Sequence, residues 1–506
     1  MIITLINPPA VVARYNYSTL SHPPIGLACI ASFLRRQGHA VQIIDAVGDG
    51  MDRVVNIPEA PGFLMQGISL EAITAAIDPS VRLIGFSCPF THAWPLVRRL
   101  IALVRKTFPH VPLMIGGEHA TALPEHCLAE APLDLVVLGE GEETAAAVAD
   151  AVASGRPFSG IPGIVFQDAA GRPVRTGRRP RVTSISRLPW PAWDAVSPRP
   201  YRVYEGPSAG PVMPMIGSRG CPFACAFCSA PGMWGRRWEA REPGDIVDEM
   251  AHYANRFGVR EFQFFDISPF IDKTWTEALC REIIGRNLKV TWQAPAGVRA
   301  EAIDPETAGL LMASGFTRIQ FALESGSPAV LKSMNKTIDI PRFEAAVAAA
   351  LSAGMGVCVL FIIGYPGETL SDIRQTYRMI RRLAAGGVDE IALSSFVPLP
   401  GTAVFSQLRE KGALRVDDGY CFEMAGATSL AHVTSWNPGF SGRRLLALKW
   451  LGLLQFYAVS FALFPSRALR TVRNLVRGVQ ESKTDRALAE ILKKITLLLT
   501  GKHRRS

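Results

Sequence analysis

Three cysteines stand close together in the segment RGCPFACAFCSAP (219–231): Cys221, Cys225 and Cys228, spaced C-x3-C-x2-C. Thiolates packed this tightly along a chain point to a metal rather than to accidents of composition. A structural zinc ion takes four closed ligands, generally from two paired knuckles. The neighbourhood offers neither a fourth cysteine nor a histidine, and the first histidine downstream is His252. An iron–sulfur cluster suits the trio better. In a [4Fe–4S] cluster, three thiolates hold three irons and leave one open to a substrate or cofactor, as a catalytic zinc keeps an open position.

The elements that must position these residues follow a strand–helix rhythm. In residues 1–150 the runs MIITLIN, AVQIID, VRLIGFS, VPLMIGG and LDLVVLG read as strands buried on both faces. Between them lie helical patterns such as IGLACIASFLRRQG, WPLVRRLIALVRKTF and EETAAAVADAVASG. This predicts a doubly wound, Rossmann-like parallel sheet with ligands at the carboxyl ends of its strands. Residues 151–211 are rich in Pro, Gly and Arg and read as a linker packed over a surface. From 212 to 420 the rhythm resumes with six strands, which fits a partial (β/α)6 barrel whose working face is again the strand carboxyl ends. Residues 421–506 read as a helical region. The fold class is therefore α/β throughout the first two domains.

The cysteine spacing, with Phe227 just before the last cysteine, resembles the signature of radical S-adenosylmethionine enzymes. The resemblance implies that S-adenosylmethionine chelates the open iron, and that one electron from the cluster cleaves it to release a 5′-deoxyadenosyl radical. It places Phe227 against the adenine. Two barrel strands end in acids, Asp266 in FQFFDIS and Glu324 in FALESGS. A carboxylate at the second position contacts the ribose or amine of the cofactor in that family. Asp266 lacks the second acid that commonly follows it, and it reads equally as a turn or capping acid.

Residues 22–46, 116–125 and 134–144 resemble the loops of a cobalamin-binding domain. The implied cofactor set is a [4Fe–4S] cluster, S-adenosylmethionine and cobalamin. Gly116, Gly117, Gly139, Glu140 and Gly141 follow buried strands, where glycine lets the backbone approach a flat corrin and its tail. Ser87 and Thr91 could hydrogen-bond the corrin amides, and His119 and Thr121 lie in the next loop. There is no Asp-x-His-x-x-Gly motif, so cobalt should not take a histidine from that source; His92 and His119 are the histidines near these loops.

The resemblance implies a cobalamin-dependent methylase acting on an unactivated carbon of a small molecule, a lipid or pigment among the candidates. The alternative is a cyclase without methyl transfer, like the anaerobic magnesium-protoporphyrin ester cyclase. A methylthiotransferase would need a cysteine where the first strand ends, and Asn7-Pro8-Pro9 stands there instead. A purely structural cluster module would not need two sets of strand-end loops. The expected partners are a small-molecule substrate and a one-electron reductant such as flavodoxin or ferredoxin, with no nucleic acid.

Six further cysteines are scattered singly and read as buried apolar groups of a reducing compartment. MIITLINPPA shows no basic n-region or cleavage site, so the expected location is cytoplasmic. Of the net charge of +10, residues 466–506 hold most, with eleven Lys/Arg against three Asp/Glu. Arg467, Arg470, Arg473 and Arg477 share one helical face, and the apolar run before them suggests a peripheral contact with an anionic membrane. A helix packed on the barrel with a solvated basic face is the competing reading. Lys449 and Gln455 interrupt the run and disfavour a spanning helix.

Overall fold

The computed structural model describes residues 1–14, 16, 22–198, 200–201, 212–479, 484–485 and 488. The first sheet contains β1 (Ile2–Asn7), β2 (Ala40–Asp45), β3 (Leu83–Ser87), β4 (Leu113–Gly116), β5 (Leu135–Val137), β6 (Ile164–Gln167) and β7 (Pro173–Arg175). Their spatial order is β7-β6-β5-β4-β3-β1-β2. Strands β1 to β5 run parallel, because alternate apolar residues find helices on both faces. Ile3 and Leu5 face the helices Ile25–Arg36 and Glu142–Ser154, while Ile6 and Ile84 face Trp94–Thr107. The chain leaves β1 toward β2 on one side and returns to β3 on the other, so the loops after β1 and β3 diverge. Such a switch point opens a crevice at the strand carboxyl ends.

The linker boundary shifts. Residues 164–175 are not a connection but a hairpin, β6 and β7, added antiparallel to the sheet edge at β5. Asp168 makes the turn: its backbone N–H donates to Arg172, and its carboxylate accepts from the backbone of Ala170 and Arg172. Two strands of three or four residues carry too short an alternation to stand out in a Pro- and Arg-rich segment. The Glu142–Ser154 helix likewise runs past the boundary at 150.

The second sheet has six parallel strands in chain order, β8 (Val212–Met215), β9 (Glu261–Phe264), β10 (Thr291–Val298), β11 (Phe316–Glu324), β12 (Gly356–Ile363) and β13 (Glu390–Ser395). It is the expected open barrel. Its core is aromatic, with Phe270, Trp292 and Phe316 packed edge to face and Phe264 tilted against Trp292.

One helix among the described residues, Gly442–Leu463, is long and apolar enough to cross a membrane. It instead packs on the Leu370–Ala385 helix and β13. Gly452 permits the close approach, since a Cβ there would lie 2.6 Å from Leu393. Lys449 is fully buried and donates from Nζ to the carbonyls of Ala427 and Ser429 at 2.9 Å each. Those bonds fix the 424–429 loop, which also bridges to Asn16.

Candidate active site

The cysteine loop leaves β8 through Gly220, whose φ of +87° suits glycine; a Cβ there would strike the Arg237 carbonyl at 2.1 Å. All three thiols are free and half-buried. The loop is pinned across the end of β11: the Ala226 N–H donates to the Met334 carbonyl at 2.8 Å, and Asn335 Nδ2 to the Ala224 carbonyl at 2.7 Å. The Arg299 guanidinium lies 3.7 Å over the Phe223 ring. Cys221 Sγ is 3.2 Å from Ser268 Oγ.

Burial pushes the Cys228 thiol up to about 11. It also raises Cys225, against the field of Lys336 and Arg299. Ligation must therefore displace these protons, which is how metals bind thiols. Among the described residues no three His, Cys, Asp or Glu side chains converge on a single-ion site. In a cluster each thiolate reaches its own iron, so three free thiols on one half-exposed loop fit a [4Fe–4S] group.

The structure brings Phe227, Glu324 and Cys225 together, with a fourth group the sequence did not reveal. Lys336 donates to Glu324 at 2.7 Å, both being buried, and its Nζ sits 5.9 Å over the Phe227 ring. Glu324 ends β11 at φ +69°, beside a register shift of that strand. A non-glycine residue there is strained, and such strain clusters at functional sites. Lys336 falls in the turn SMNKT, where no spacing marks it. Asp266 does something else. Its two carboxylate oxygens accept from the Gly217 N–H at 2.8 Å and Ser218 Oγ at 2.6 Å, and burial lifts it to about 6. It braces the entry to the cysteine loop.

The loops of the first sheet divide into those lining a cavity and those behind it. One cavity of about 540 Å³ lies at the switch point between β1 and β3. Asn7, Pro8, Ser87 and Pro89 line it from the first sheet, Phe265 from the barrel, and Ala425 and Thr428 from the loop held by Lys449. A second, of about 290 Å³, runs between the sheet and the Ile25–Arg36 helix past Gly116, Gly117, Gly139, Glu140 and Gly141, and reaches Phe265 as well. Gly117 has φ +112°, and a Cβ would lie 2.6 Å from the Cys88 backbone. A Cβ on Gly141 would meet Ile30 at 2.9 Å. Gly117 lets the turn after β4 pass close to the Cys88 backbone, and Gly141 leaves room for Ile30 in the slot's wall.

Thr91 and His119 do not line either cavity. They lie 3.2 Å apart, buried beneath Trp94, and burial pushes His119 down to about 3 so that it is neutral. The histidines that do line the large cavity are His22 and His92, the latter lowered to about 4 by burial. His22 packs on Phe265 at 4.5 Å. Thr121 accepts from the Gly139 N–H at 3.0 Å and so shapes that turn.

A buried ion cluster joins the two halves. Arg219, beside the cysteines, reaches Glu142 at 2.6 Å and Glu140 at 3.3 Å. Glu140 also accepts from Arg181 and the Val182 N–H. Glu140 is thus committed to holding the domains together. Burial alone would raise the Glu142 carboxyl, but the Arg219 charge holds it below its ordinary value.

The glycine-lined slot reaches Phe265 of the barrel and Arg219, two residues before the first cysteine of the loop. Residues 215–380 match the radical SAM superfamily, and residues 13–149 match the B12 binding domain. The chain thus carries a radical SAM domain and a B12 binding domain, the pair found in cobalamin-dependent radical SAM enzymes. Its cofactors are a [4Fe–4S] cluster, S-adenosylmethionine and cobalamin. It is 27% identical to the cytidylyl-2-hydroxyethylphosphonate methyltransferase of Streptomyces wedmorensis, over 81% of this chain and 82% of that one. It is 28% identical to the anaerobic magnesium-protoporphyrin IX monomethyl ester cyclase of Cereibacter sphaeroides, over 77% of this chain and 61% of that one. In structure it resembles OxsB, a cobalamin-dependent S-adenosylmethionine radical enzyme, with a TM-score of 0.68 over 99% of this chain and 76% of that one at 15% identity. The last likeness speaks for the fold alone.

Proposed function

We propose that this radical SAM enzyme methylates an unactivated carbon of a small, largely apolar molecule bound in the cleft between its two sheets. The carrying observation is that both cavities at the carboxyl ends of the first sheet are also walled by Phe265 of the barrel, and the glycine-lined one reaches Arg219, two residues before Cys221. When bound, the cofactors supply hydrogen abstraction and a methyl group. The chain's own part is placement. Cys221, Cys225 and Cys228 would hold the cluster, and Phe227, Lys336 and Glu324 would flank S-adenosylmethionine. Gly116, Gly117, Gly139 and Gly141 would line the site of the cobalamin tail, and Ser87, His22 and His92 would hold the rest of the cofactor in the larger cavity. Asp266 and Arg219 keep the cysteine loop in register with the first sheet.

The walls of the larger cavity are mainly apolar, supplied by Pro8, Pro9, Val11, Val12, Ile25 and Phe265. They exclude water and favour a lipid-like or pigment-like substrate. Cyclisation without methyl transfer is the second reading, and the similarity to the Cereibacter sphaeroides cyclase favours it. An external electron donor of the flavodoxin or ferredoxin type would reduce the cluster, in a cytoplasmic setting with a peripheral membrane contact.

The deciding experiment incubates anaerobically reconstituted protein, reductant and methyl-labelled S-adenosylmethionine with an apolar metabolite extract. A new product bearing the label supports methylation. A product that consumes S-adenosylmethionine without acquiring the label overturns methylation in favour of the cyclase reading.

A further inference from the structure

We propose that the Pro465–Arg477 helix is a docking surface for an anionic lipid bilayer, which it meets through an apolar stripe that faces outward. The helix is mounted with its polar side against the protein. Thr471 and Asn474 are buried, and Asn474 Nδ2 donates to Asp485 at 3.0 Å. Leu469, Val472, Val476 and Val479 are 71%, 59%, 83% and 42% exposed. Leu469, Val472 and Val476 share one face of the helix, and Val479 follows just beyond its end at Gly478. A surface helix of a soluble protein ordinarily buries such a stripe, so its exposure marks a contact. Leu463 and Leu454 of the preceding helix, 56% and 60% exposed, add to the apolar surface of this region.

The charges say what the contact is. Arg470, Arg473 and Arg477 are exposed on the same helix, which contains no Asp or Glu. Arginines interleaved with an apolar stripe match anionic headgroups lying over acyl chains. A second copy of this chain would fit poorly, because a two-fold contact through the stripe would face arginines with arginines. Arg467 has a different task. It donates to the carbonyls of Gly387 and Val388 at 2.7 and 2.8 Å and pairs with Asp389 at 3.0 Å, anchoring the helix to the turn before β13. That turn lies at the amino ends of the barrel strands, opposite Asp266 and Glu324, so docking there leaves the active-site cleft clear. The inference is independent of which reaction the cleft performs.

The test sediments the full-length protein with vesicles of neutral phosphatidylcholine alone or mixed with phosphatidylglycerol. Wild type is expected to sediment with the anionic vesicles and to be released by salt. Val472→Asp/Val476→Asp should lower binding at least tenfold. Arg470→Gln/Arg473→Gln/Arg477→Gln should lower it by roughly fivefold per charge, the effect of one basic residue near such a surface. Both variants should keep wild-type iron content after reconstitution, which shows that they fold. Wild type left in the supernatant, or variants that bind as wild type does, would overturn the proposal. So would a dimer in light scattering that Val472→Asp/Val476→Asp dissolves while vesicles bind neither protein.

Discussion

Replacing Arg219 by methionine removes the one cation that two buried acids share. The side chains of Arg219, Glu140 and Glu142 are 4%, 9% and 5% exposed, so solvent screens their interaction little. Methionine keeps the apolar stem and forfeits the bonds at 2.6 and 3.3 Å. Breaking a buried pair from one side typically costs ~3–5 kcal/mol, because the partner charge is left without compensation. Arg219→Met should lose about that much, and Arg219→Met/Glu142→Gln should recover a large part of it.

The pH dependence follows from the sign of the Glu142 shift. In the wild type the folded carboxyl titrates below its unfolded value of about 4.3. The contribution is therefore present above that pH and is lost as pH falls through the folded value. Without Arg219 the burial effect is unopposed and the folded value rises. The variant should then be least stable at neutral pH and regain stability as the carboxyl protonates. Urea denaturation followed by tryptophan fluorescence reads both effects, with Trp234, 5.5 Å from the guanidinium, as reporter against a Trp234→Phe control. A loss below about 1 kcal/mol would fall in the range of surface pairs and refute the clamp. An unchanged pH slope would refute it equally.

Gly117→Ala should abolish cobalamin binding in a spectral titration, since the new Cβ would lie 2.6 Å from the Cys88 backbone at a φ of +112° that alanine disfavours. Lys336→Met should weaken S-adenosylmethionine binding in equilibrium dialysis and leave the iron content intact, because Lys336 contacts Glu324 and Phe227 rather than a thiol. Burial lowers the buried Lys449 amine to about 7. The unfolded chain therefore binds the extra proton between that pH and the ordinary lysine value of about 10.4, and stability should rise with pH across this window in thermal melts. Lys449→Met should flatten that rise.

Much of this architecture is legible in the sequence because burial on both faces writes continuous apolar runs, and because three thiols at fixed spacing have few other uses. Phe227 and Glu324 are readable for the same reason, one beside the cysteines and the other at the end of a strand. Lys336 is not, since its importance comes from a fold that returns the 325–336 turn to the cysteine loop. The fates of Thr91 and His119 depend on helix rotation beneath Trp94, which no spacing records. Asp266 and Glu140 are acids in the expected loops, yet the structure spends them on bracing. The stripe of Leu469, Val472, Val476 and Val479 is plain in the sequence, but which way it faces is a tertiary fact.

The central claim is that one chain builds a single cleft from a cluster site and a cobalamin site. Metal and sulfide analysis of the anaerobically reconstituted full-length protein tests it most directly. The account predicts about four iron and four sulfide per chain together with one cobalt, and predicts that Cys221→Ala/Cys225→Ala/Cys228→Ala loses the iron while keeping the cobalt. A chain that takes up a single metal ion on its three cysteines, or iron with no cobalt, would contradict it.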